Sequence, residues 1–537
     1  MLAGSEQAAA LPQQATSAAL RQAKRLSLSQ LKVVFVITLA LLIAAPALNL
    51  SSAVRAQFNA SGFTFNVALP APLQLQYNNV VFSSDGRFGF VAPYGQSTAA
   101  DQDEANLVNN RVYSFNTQTG LLIDSARIGF YPTQIAIDYS SGTLAVRHSG
   151  SLRDRFGRLV PAASVSLLTV NKDGKLTLRW TFAMPNAEPD KDTPAAAAPD
   201  TVHISNNGKW VLVSNGVTVF VLDARTGNPV AAIPVVSNRD FQNGSQITGM
   251  SLHGETTTLA VTVSRFDLSA DPDTAQAYIA QASSVIFYWI GPAGASIELS
   301  SFNLPGVGIS PGSTVAFNSL GTVAFIPYDI GIITAFEIPT GQVLDTLVTP
   351  GASSGVSAHQ VVYSSTNNTL SVARMGRIVR PANIVRPANY SRVAAAAPAL
   401  YVARVGERAQ IKLTGEITAL DDASGISNLV VCGEGAHGFV ASNEGTLFKF
   451  SIDRAKVLEA RAVGVGASAL AVDEGSQKAA VIRTTIVDAD GVVVDNGSVT
   501  ISQAATSVAQ SPMVLLPGLD MDFIWRLLAL LVRVPAN

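Results

Sequence analysis

The hydrophobic and polar positions of the chain repeat in short units. Each unit opens with an apolar run that ends in a small polar turn and continues with a second apolar run. Several units add a third and a fourth run, which are joined by a Thr-Gly turn. The unit recurs about eight times between Asn78 and Gln503, at a spacing of roughly 40–70 residues and without helical periodicity. Several short strands at this spacing predict a β-propeller, in which each unit forms one blade.

The turns after the first runs contain residues that tolerate a positive φ, such as Asp85-Gly86 and Asn207-Gly208. Such turns connect antiparallel strands in hairpins. The runs on either side are rich in β-branched and aromatic residues, which half-buried strands favour. The eight first strands are predicted to begin at or near Asn79, Gln134, Val202, Thr248, Val315, Val361, Leu429 and Ala469.

The last unit has three recognisable strands and no fourth. Phe63–Leu69, which precedes the first unit, is a spare strand. We expect it to pair into the final blade, because this pairing closes the ring and removes an exposed strand edge. The sequence therefore predicts an all-β protein with a single propeller over residues 57–503. We count eight four-stranded antiparallel blades, and seven is the alternative if one weak unit is not a blade.

The third unit resembles a known repeat. Leu212-Val213-Ser214-Asn215, followed by Val219–Gly227, is similar to the YVTN-type propeller repeat, which is named after Tyr-Val-Thr-Asn in its second strand. The resemblance extends over most of residues 77–503, although the other units are degenerate. It implies an exported, WD40-like propeller. The family includes cell-surface repeat proteins and relatives of sugar-lactone hydrolases, so the resemblance constrains function only weakly.

Residues 1–56 differ in character from the rest. Basic residues between Arg21 and Lys32 precede the apolar run Val33–Leu48, and Val54-Arg55-Ala56 offers the small residues that an export peptidase recognises. As a helix the apolar run spans roughly 24 Å, less than the ~30 Å hydrocarbon core of a bilayer. We predict a secretory signal peptide cut after Ala56, with a retained N-terminal anchor as the alternative. The expected location is a bacterial periplasm, the cell surface or the exterior.

Composition agrees with many buried strands. Hydrophobic residues make up 48% of the chain and charged residues 14%, which excludes a largely disordered protein. The formal net charge of −2 gives no electrostatic reason to expect a nucleic-acid partner. Cys432 is the sole cysteine, so no intrachain disulfide can form, and we expect it in the core.

Residues 504–537, here called the tail, do not follow the pattern of the repeat. The segment Met521–Val534 is apolar enough for a short helix of roughly 21 Å, too short to cross a bilayer. Docking on the ring, disorder and contact with a membrane surface are the alternatives for this segment. We expect membrane contact only through this tail or through an uncleaved leader.

Antiparallel strand order divides the connections between two faces of the ring. First-to-second and third-to-fourth turns share one face, here called face Y, and all other connections share the opposite face X. Because loops on a rigid scaffold commonly carry binding, X is the predicted functional face. Nearly all the long segments belong to X, namely Pro93–Asn110, His148–Pro161, Pro185–Asp200, Val236–Ser245, Arg265–Ser283 and Gly376–Leu400.

The start of each first strand is expected to surround the central channel on face X. We call these eight strand starts the channel-mouth positions. Seven of them are polar, which is typical of a funnel filled with water. Concave sites with convergent polar groups are the default candidates for ligand binding. The alternative is that the mouth is merely solvated. The positions are Asn78, Thr133, Asp200, Gln246, Ser313, His359, Ser427 and Ala467.

Two kinds of loop on face X differ in charge. Arg380 and Arg386 lie in a tandem copy of Ile-Val-Arg-Pro-Ala-Asn, and arginine forks suit phosphate, sulfate or carboxylate. The alternative is a slipped duplication in a solvated loop. Acidic residues in other loops are weak candidates for calcium ligands, because they lack the spacing of an EF-hand. We therefore expect no cofactor, with Ca²⁺ as the alternative. These residues are Asp101, Asp103, Asp271 and Asp273.

Recognisable catalytic motifs are missing. The five histidines are far apart in sequence, and Gly351-Ala-Ser353-Ser-Gly355 lacks the strand–helix context of a nucleophile elbow. We therefore expect an exported, non-enzymatic propeller that binds a carbohydrate, peptide or protein partner of the cell envelope through face X. One alternative is a lactonase-like hydrolase in which Asp200 and His359 assist attack by water. Another is a structural repeat protein of the cell envelope.

Overall fold

The computed structural model describes residues 63–67, 69 and 80–503, apart from internal gaps. The leader 1–56 and the tail 504–537 predicted from the sequence lie outside the described residues. Thr64–Gln503 forms one compact unit. The gaps are 94–109, 130–131, 149–150, 154–158, 162–163, 186–200, 268, 270–279, 305–307, 310–312, 353–356, 377–396, 418–419, 421–424, 433–434, 474–477, 484–485, 488–492 and 496–497.

The strands form eight four-stranded sheets, each of which is one blade. In chain order, β1 (Phe63–Val67) comes first. Blade 1 is β2 (Val80–Phe82), β3 (Phe88–Val91), β4 (Arg111–Asn116) and β5 (Leu122–Arg127). Blade 2 contains β6 (Pro132–Asp138) and β7 (Thr143–His148), then a small hairpin of β8 (Ser151–Arg153) and β9 (Leu159–Pro161), then β10 (Ser164–Val170) and β11 (Leu176–Ala183). Blade 3 is β12 (Val202–Ile204), β13 (Trp210–Ser214), β14 (Thr218–Asp223) and β15 (Pro229–Pro234).

The short helix α1 (Asn238–Gln242) leads into the second half of the ring. Blade 4 is β16 (Ser245–His253), β17 (Thr258–Arg265), β18 (Ala282–Ile290) and β19 (Ser296–Leu304). Blade 5 is β20 (Ala316–Phe317), β21 (Val323–Pro327), β22 (Ile332–Glu337) and β23 (Gln342–Val348). Blade 6 is β24 (His359–Ser364), β25 (Thr369–Arg374), β26 (Ala399–Val405) and β27 (Ile411–Ile417), with a 3-10 helix at Glu407–Ala409 between its last two strands.

Blade 7 is β28 (Val430–Cys432), β29 (His437–Ala441), β30 (Thr446–Ser451) and β31 (Lys456–Ala462). Blade 8 is β32 (Ala467–Asp473), β33 (Lys478–Arg483) and β36 (Ser498–Gln503), completed by β1. A hairpin of β34 (Ile486–Val487) and β35 (Val493–Asp495) lies between its second and third strands. In the described part of the chain, no helix is long and apolar enough to cross a membrane.

Burial falls from the second strand of a blade to its outer strand. The second strands β7, β13 and β21 are buried at every position, whereas the outer strand β11 is largely exposed. Apolar clusters lie between adjacent blades; one of them joins Phe88 of blade 1 to Leu144 of blade 2. Each blade therefore depends on its neighbours for part of its hydrophobic core, as in other repeat architectures. Cys432 is buried in such a cluster, as predicted.

The N-terminal strand closes the ring, which confirms both the predicted closure and the count of eight blades. β1 adds to the outer side of β36. The Thr500 hydroxyl lies 2.7 Å from Asn66 Oδ1, and Thr64 Oγ1 lies 3.4 Å from Ser502 Oγ. On the inner side, Lys478 of blade 8 donates to the Gly86 carbonyl of blade 1 at 3.4 Å. The first and last blades are thus joined directly.

Candidate functional site

The two faces of the ring carry different connections, as the sequence predicted. On face Y the turns are tight, and hydrogen bonds close them: Gly86 N donates to Ser83 O at 2.9 Å, and Gly208 N donates to Ser205 O at 2.7 Å. The positive φ of both glycines fits these turns. On face X the chain passes from second to third strands and from blade to blade. Helix α1 and the hairpins β8–β9 and β34–β35 belong to these connections.

Many of the predicted site residues lie outside the described residues. This holds for two channel-mouth positions, for both loop arginines and for the four calcium candidates, so their roles stay predictions. Within the described residues, no group of three or more His, Cys, Asp and Glu side chains could hold a metal ion. The residues outside the description are Asn78, Asp200, Arg380, Arg386, Asp101, Asp103, Asp271 and Asp273.

The structure describes the other six channel-mouth positions. Gln246 is half-buried, and the remaining five are buried: Thr133, Ser313, His359, Ser427 and Ala467. The hydroxyls of Thr133 and Ser427 form hydrogen bonds with other groups of the protein. Arg147 donates to Thr133 Oγ1 at 3.0 Å, and Ala441 N donates to Ser427 Oγ at 2.9 Å. Their predicted part in ligand binding stays a prediction.

Ser313 and His359, from neighbouring blades, are brought together. The backbone N–H of His359 donates to Ser313 Oγ at 3.0 Å. The imidazole is fully enclosed, and its Nδ1 lies 2.7 Å from the Ser357 carbonyl, so Nδ1 carries the proton and donates it. Nε2 is then an acceptor, and among the described residues it has no hydrogen-bond partner. Burial, assisted by the nearby Arg374 charge, lowers the pKa of His359 to about 4, so the ring is neutral at pH 7.

A neutral imidazole oriented in this way has the electronic character of a general base. Such a base must come within about 2.6–3.2 Å of the proton it removes. Because the His359 ring is fully enclosed, a substrate could reach Nε2 only if the surrounding side chains moved apart. The lactonase-like alternative therefore requires an opening at this point of the ring.

The first strands are joined to one another by side-chain hydrogen bonds that the sequence analysis missed. Gln134 Oε1 accepts from Val202 N of the next blade at 2.5 Å, and Gln360 Oε1 accepts from Leu429 N at 2.6 Å. In four blades the linking residue directly follows a channel-mouth position, which is the signal that could have revealed it. The linking residues, from blade 2 to blade 7, are Gln134, His203, Ser251, Thr314, Gln360 and Asn428.

A second buried histidine lies in blade 2. His148 Nδ1 is 2.6 Å from Ser164 Oγ, and its Nε2 is 2.9 Å from Ser166 Oγ. Burial, together with the neighbouring Arg147 charge, lowers the pKa of His148 to about 3. With both ring nitrogens bonded inside the blade, His148 serves the structure of the blade.

Comparison with known proteins concerns the fold only. No protein-family model matches the chain, so the YVTN assignment stays a prediction, and no curated protein matches it. Among solved structures, BamB from Moraxella catarrhalis is 13% identical over 82% of this chain and 98% of that one, with a TM-score of 0.44. The β-propeller domain of Cps50 (Swd1) from Myceliophteria thermophila is 9% identical over 70% of this chain and 97% of that one, with a TM-score of 0.42. At these values neither similarity carries an argument about function.

Proposed function

We propose that the protein is an exported, non-enzymatic binding propeller whose carbohydrate, peptide or protein partner binds face X. The observation that carries this proposal is the unequal distribution of the connections. On face Y short turns close within each blade, whereas on face X long segments join β25 to β26 and blade 2 to blade 3. Variable loops held by a rigid ring are the usual location of binding residues. The basic and apolar leader supports export.

The base of the arginine-containing loop is well anchored. Arg374, at the end of β25, is buried and donates through Nε to the Ala397 carbonyl at 2.6 Å, which ties the two ends of segment 375–398 together. Its guanidinium also donates to the Pro350 and Gly351 carbonyls at 3.2 Å, and it lies 5.7 Å from the Tyr401 ring. A loop with fixed ends loses less conformational freedom when a ligand binds, which favours affinity.

Replacing both Arg380 and Arg386 by Ser is expected to weaken binding of an anionic ligand about tenfold or more, because two guanidinium forks are lost. Suitable probes are oligogalacturonate, dextran sulfate and polyphosphate, which present carboxylate, sulfate and phosphate. Affinities are measured by isothermal titration calorimetry on the full chain at low salt.

The matched control carries the same change of charge on the opposite face. Arg225 and Arg454 are exposed in third-to-fourth turns on face Y, and Arg225→Ser with Arg454→Ser is expected to leave the affinity unchanged. An equal loss in both double variants would indicate non-specific attraction. Unchanged affinity in the Arg380 and Arg386 variant would reject the role of this loop.

A further inference from the structure

A groove opens on face Y between blades 5 and 6, opposite the proposed binding face. Its volume is about 760 Å³, within the roughly 300–1,000 Å³ typical of small-molecule sites. The floor is apolar and includes Phe325 and Tyr363, whose rings stack with centroids 5.5 Å apart. The wall carries Glu337 from blade 5 and Asn368, Glu407 and Arg408 from blade 6.

The equivalent position between blades 1 and 2 holds a smaller groove. There the groove measures about 160 Å³ and is lined by Asp85 and Arg87, which form an ion pair at 2.5 Å. Arg87 directly follows the turn glycine Gly86, and its guanidinium lies 5.2 Å from the Phe88 ring. In blade 5 the residue after the turn glycine is the short Thr322. The architecture itself therefore does not require a groove as large as the one between blades 5 and 6.

Most of the polar groups on the wall of the larger groove are accessible to a ligand: Asn368, Glu407 and Arg408 are exposed, and Glu337 is half-buried. Glu337 accepts a hydrogen bond from the Thr340 hydroxyl through Oε2, and its Oε1 has no partner among the described residues. Across the described chain, neither the Glu407 carboxylate nor the Arg408 guanidinium has a hydrogen bond or ion pair. Asn368 Oδ1 accepts from the Tyr363 hydroxyl at 2.6 Å, which leaves the Asn368 amide N–H groups to donate.

Backbone strain is concentrated at the same groove. Arg408 and Ala409 have φ of 57° and 58°, and Asn368 has φ of 51°. The left-handed region is unfavourable for residues with a Cβ other than Asn and Asp, so the strain lies in the successive pair Arg408 and Ala409. Three of the five non-glycine residues with positive φ in the described chain line this groove. Strain of this kind persists where the surrounding structure enforces it, and it recurs at ligand sites.

We propose that this groove binds a neutral saccharide. Two carboxylates offer acceptors, while Arg408 and the Asn368 amide offer donors. A cationic ligand would satisfy the carboxylates alone, and an anionic ligand the arginine alone. Sugar hydroxyls both donate and accept, so they match all four groups, and hydroxyls that donate to a carboxylate form charge-assisted bonds. The apolar floor of Val323, Tyr363 and Val405 covers the C–H faces of a sugar ring.

The test uses calorimetric titration of the full chain with cellohexaose, maltohexaose, mannohexaose and chitohexaose, and with hexalysine and oligogalacturonate as charged probes. Arg408→Gly removes the guanidinium and relieves the positive φ, and no described hydrogen bond is lost with it. We expect it to raise the Tm by about 2 °C while weakening saccharide binding about tenfold. Glu337→Gln is expected to weaken binding to a similar extent.

Ala455→Gly is the matched control, because Ala455 also has a positive φ, of 45°, but lies in a turn of blade 7. This control is expected to leave saccharide affinity unchanged. Binding of at least one neutral hexasaccharide, lost in Arg408→Gly and kept in Ala455→Gly, is the predicted result. No binding of any neutral probe at millimolar concentration, binding of a charged probe alone, or full affinity in Arg408→Gly would each overturn the proposal. Binding at face X is told apart from binding in the groove with the Arg380→Ser, Arg386→Ser variant, which is expected to keep the affinity of the groove for a neutral hexasaccharide.

Discussion

Val67→Asp is expected to release the N-terminal strand from blade 8 and to lower the free energy of unfolding by about 4 kcal/mol. Val67 is fully buried at the end of β1, and a carboxylate placed there would have to lose its hydration. Release of β1 would also expose the outer edge of β36, which then becomes available for pairing with other chains. The free energy is measured by urea unfolding, and the state of association by size-exclusion chromatography.

The control for this variant is Val465→Asp. Val465 is 54% exposed between blades 7 and 8, so a carboxylate there stays in water, and we expect a change within about 0.5 kcal/mol. An equal loss of free energy of unfolding in the two variants would show that closure by β1 does not stabilise blade 8.

Acidification from pH 7 to pH 4 is expected to remove about 5 kcal/mol of stability, chiefly through His148 and His359. Both are fully buried, and their pKa values in the fold are about 3 and about 4, below the ordinary value of 6.5. Between the folded and unfolded pKa values the unfolded chain binds more protons, so stability falls as the pH falls. The stabilisation is complete above pH ~6.5, and each pKa unit corresponds to about 1.4 kcal/mol.

Urea unfolding at a series of pH values measures this dependence. His359→Gln is expected to reduce the slope between pH 6 and pH 4, because one proton-binding group is absent from the unfolded chain. His148 is intact in this variant, and burial also lowers the pKa of His203, so a residual slope is expected to remain. A profile that is flat from pH 7 to pH 4 in the unmodified chain would contradict the burial of neutral histidines.

The ring could be predicted from the sequence because its signals are local. Turns such as Asp85-Gly86 need residues that tolerate positive φ, and second strands such as Phe88–Val91 appear as continuous apolar runs. Closure by β1 followed from counting, since one strand was missing at one end and one was spare at the other. The turns and the strands, unlike the closure, depend on residues close together in the sequence.

The surroundings of the channel-mouth positions could not be predicted, because they depend on partners in other strands or blades. The sequence does not distinguish a polar residue that lines a funnel at the start of a first strand from one that forms hydrogen bonds within the ring. Thr133 bonds to Arg147 of the adjacent strand, and Gln360 bonds to Leu429 of the next blade. The groove between blades 5 and 6 is lined by residues of both blades, among them Glu337 of blade 5 and Arg408 of blade 6. Residue type at a single position does not reveal that these side chains share a groove.

Photo-cross-linking in cells tests the central claim, that partners bind face X, most directly. A benzophenone amino acid is placed at Asn238 or Gln281 on face X, and at Leu121 or Tyr139 on face Y; all four positions are exposed. We predict that cross-linked adducts form from the two positions on face X and not from the two on face Y. Adducts that form only from Leu121 or Tyr139, or adducts from none of the four positions, would contradict the assignment of face X as the binding face.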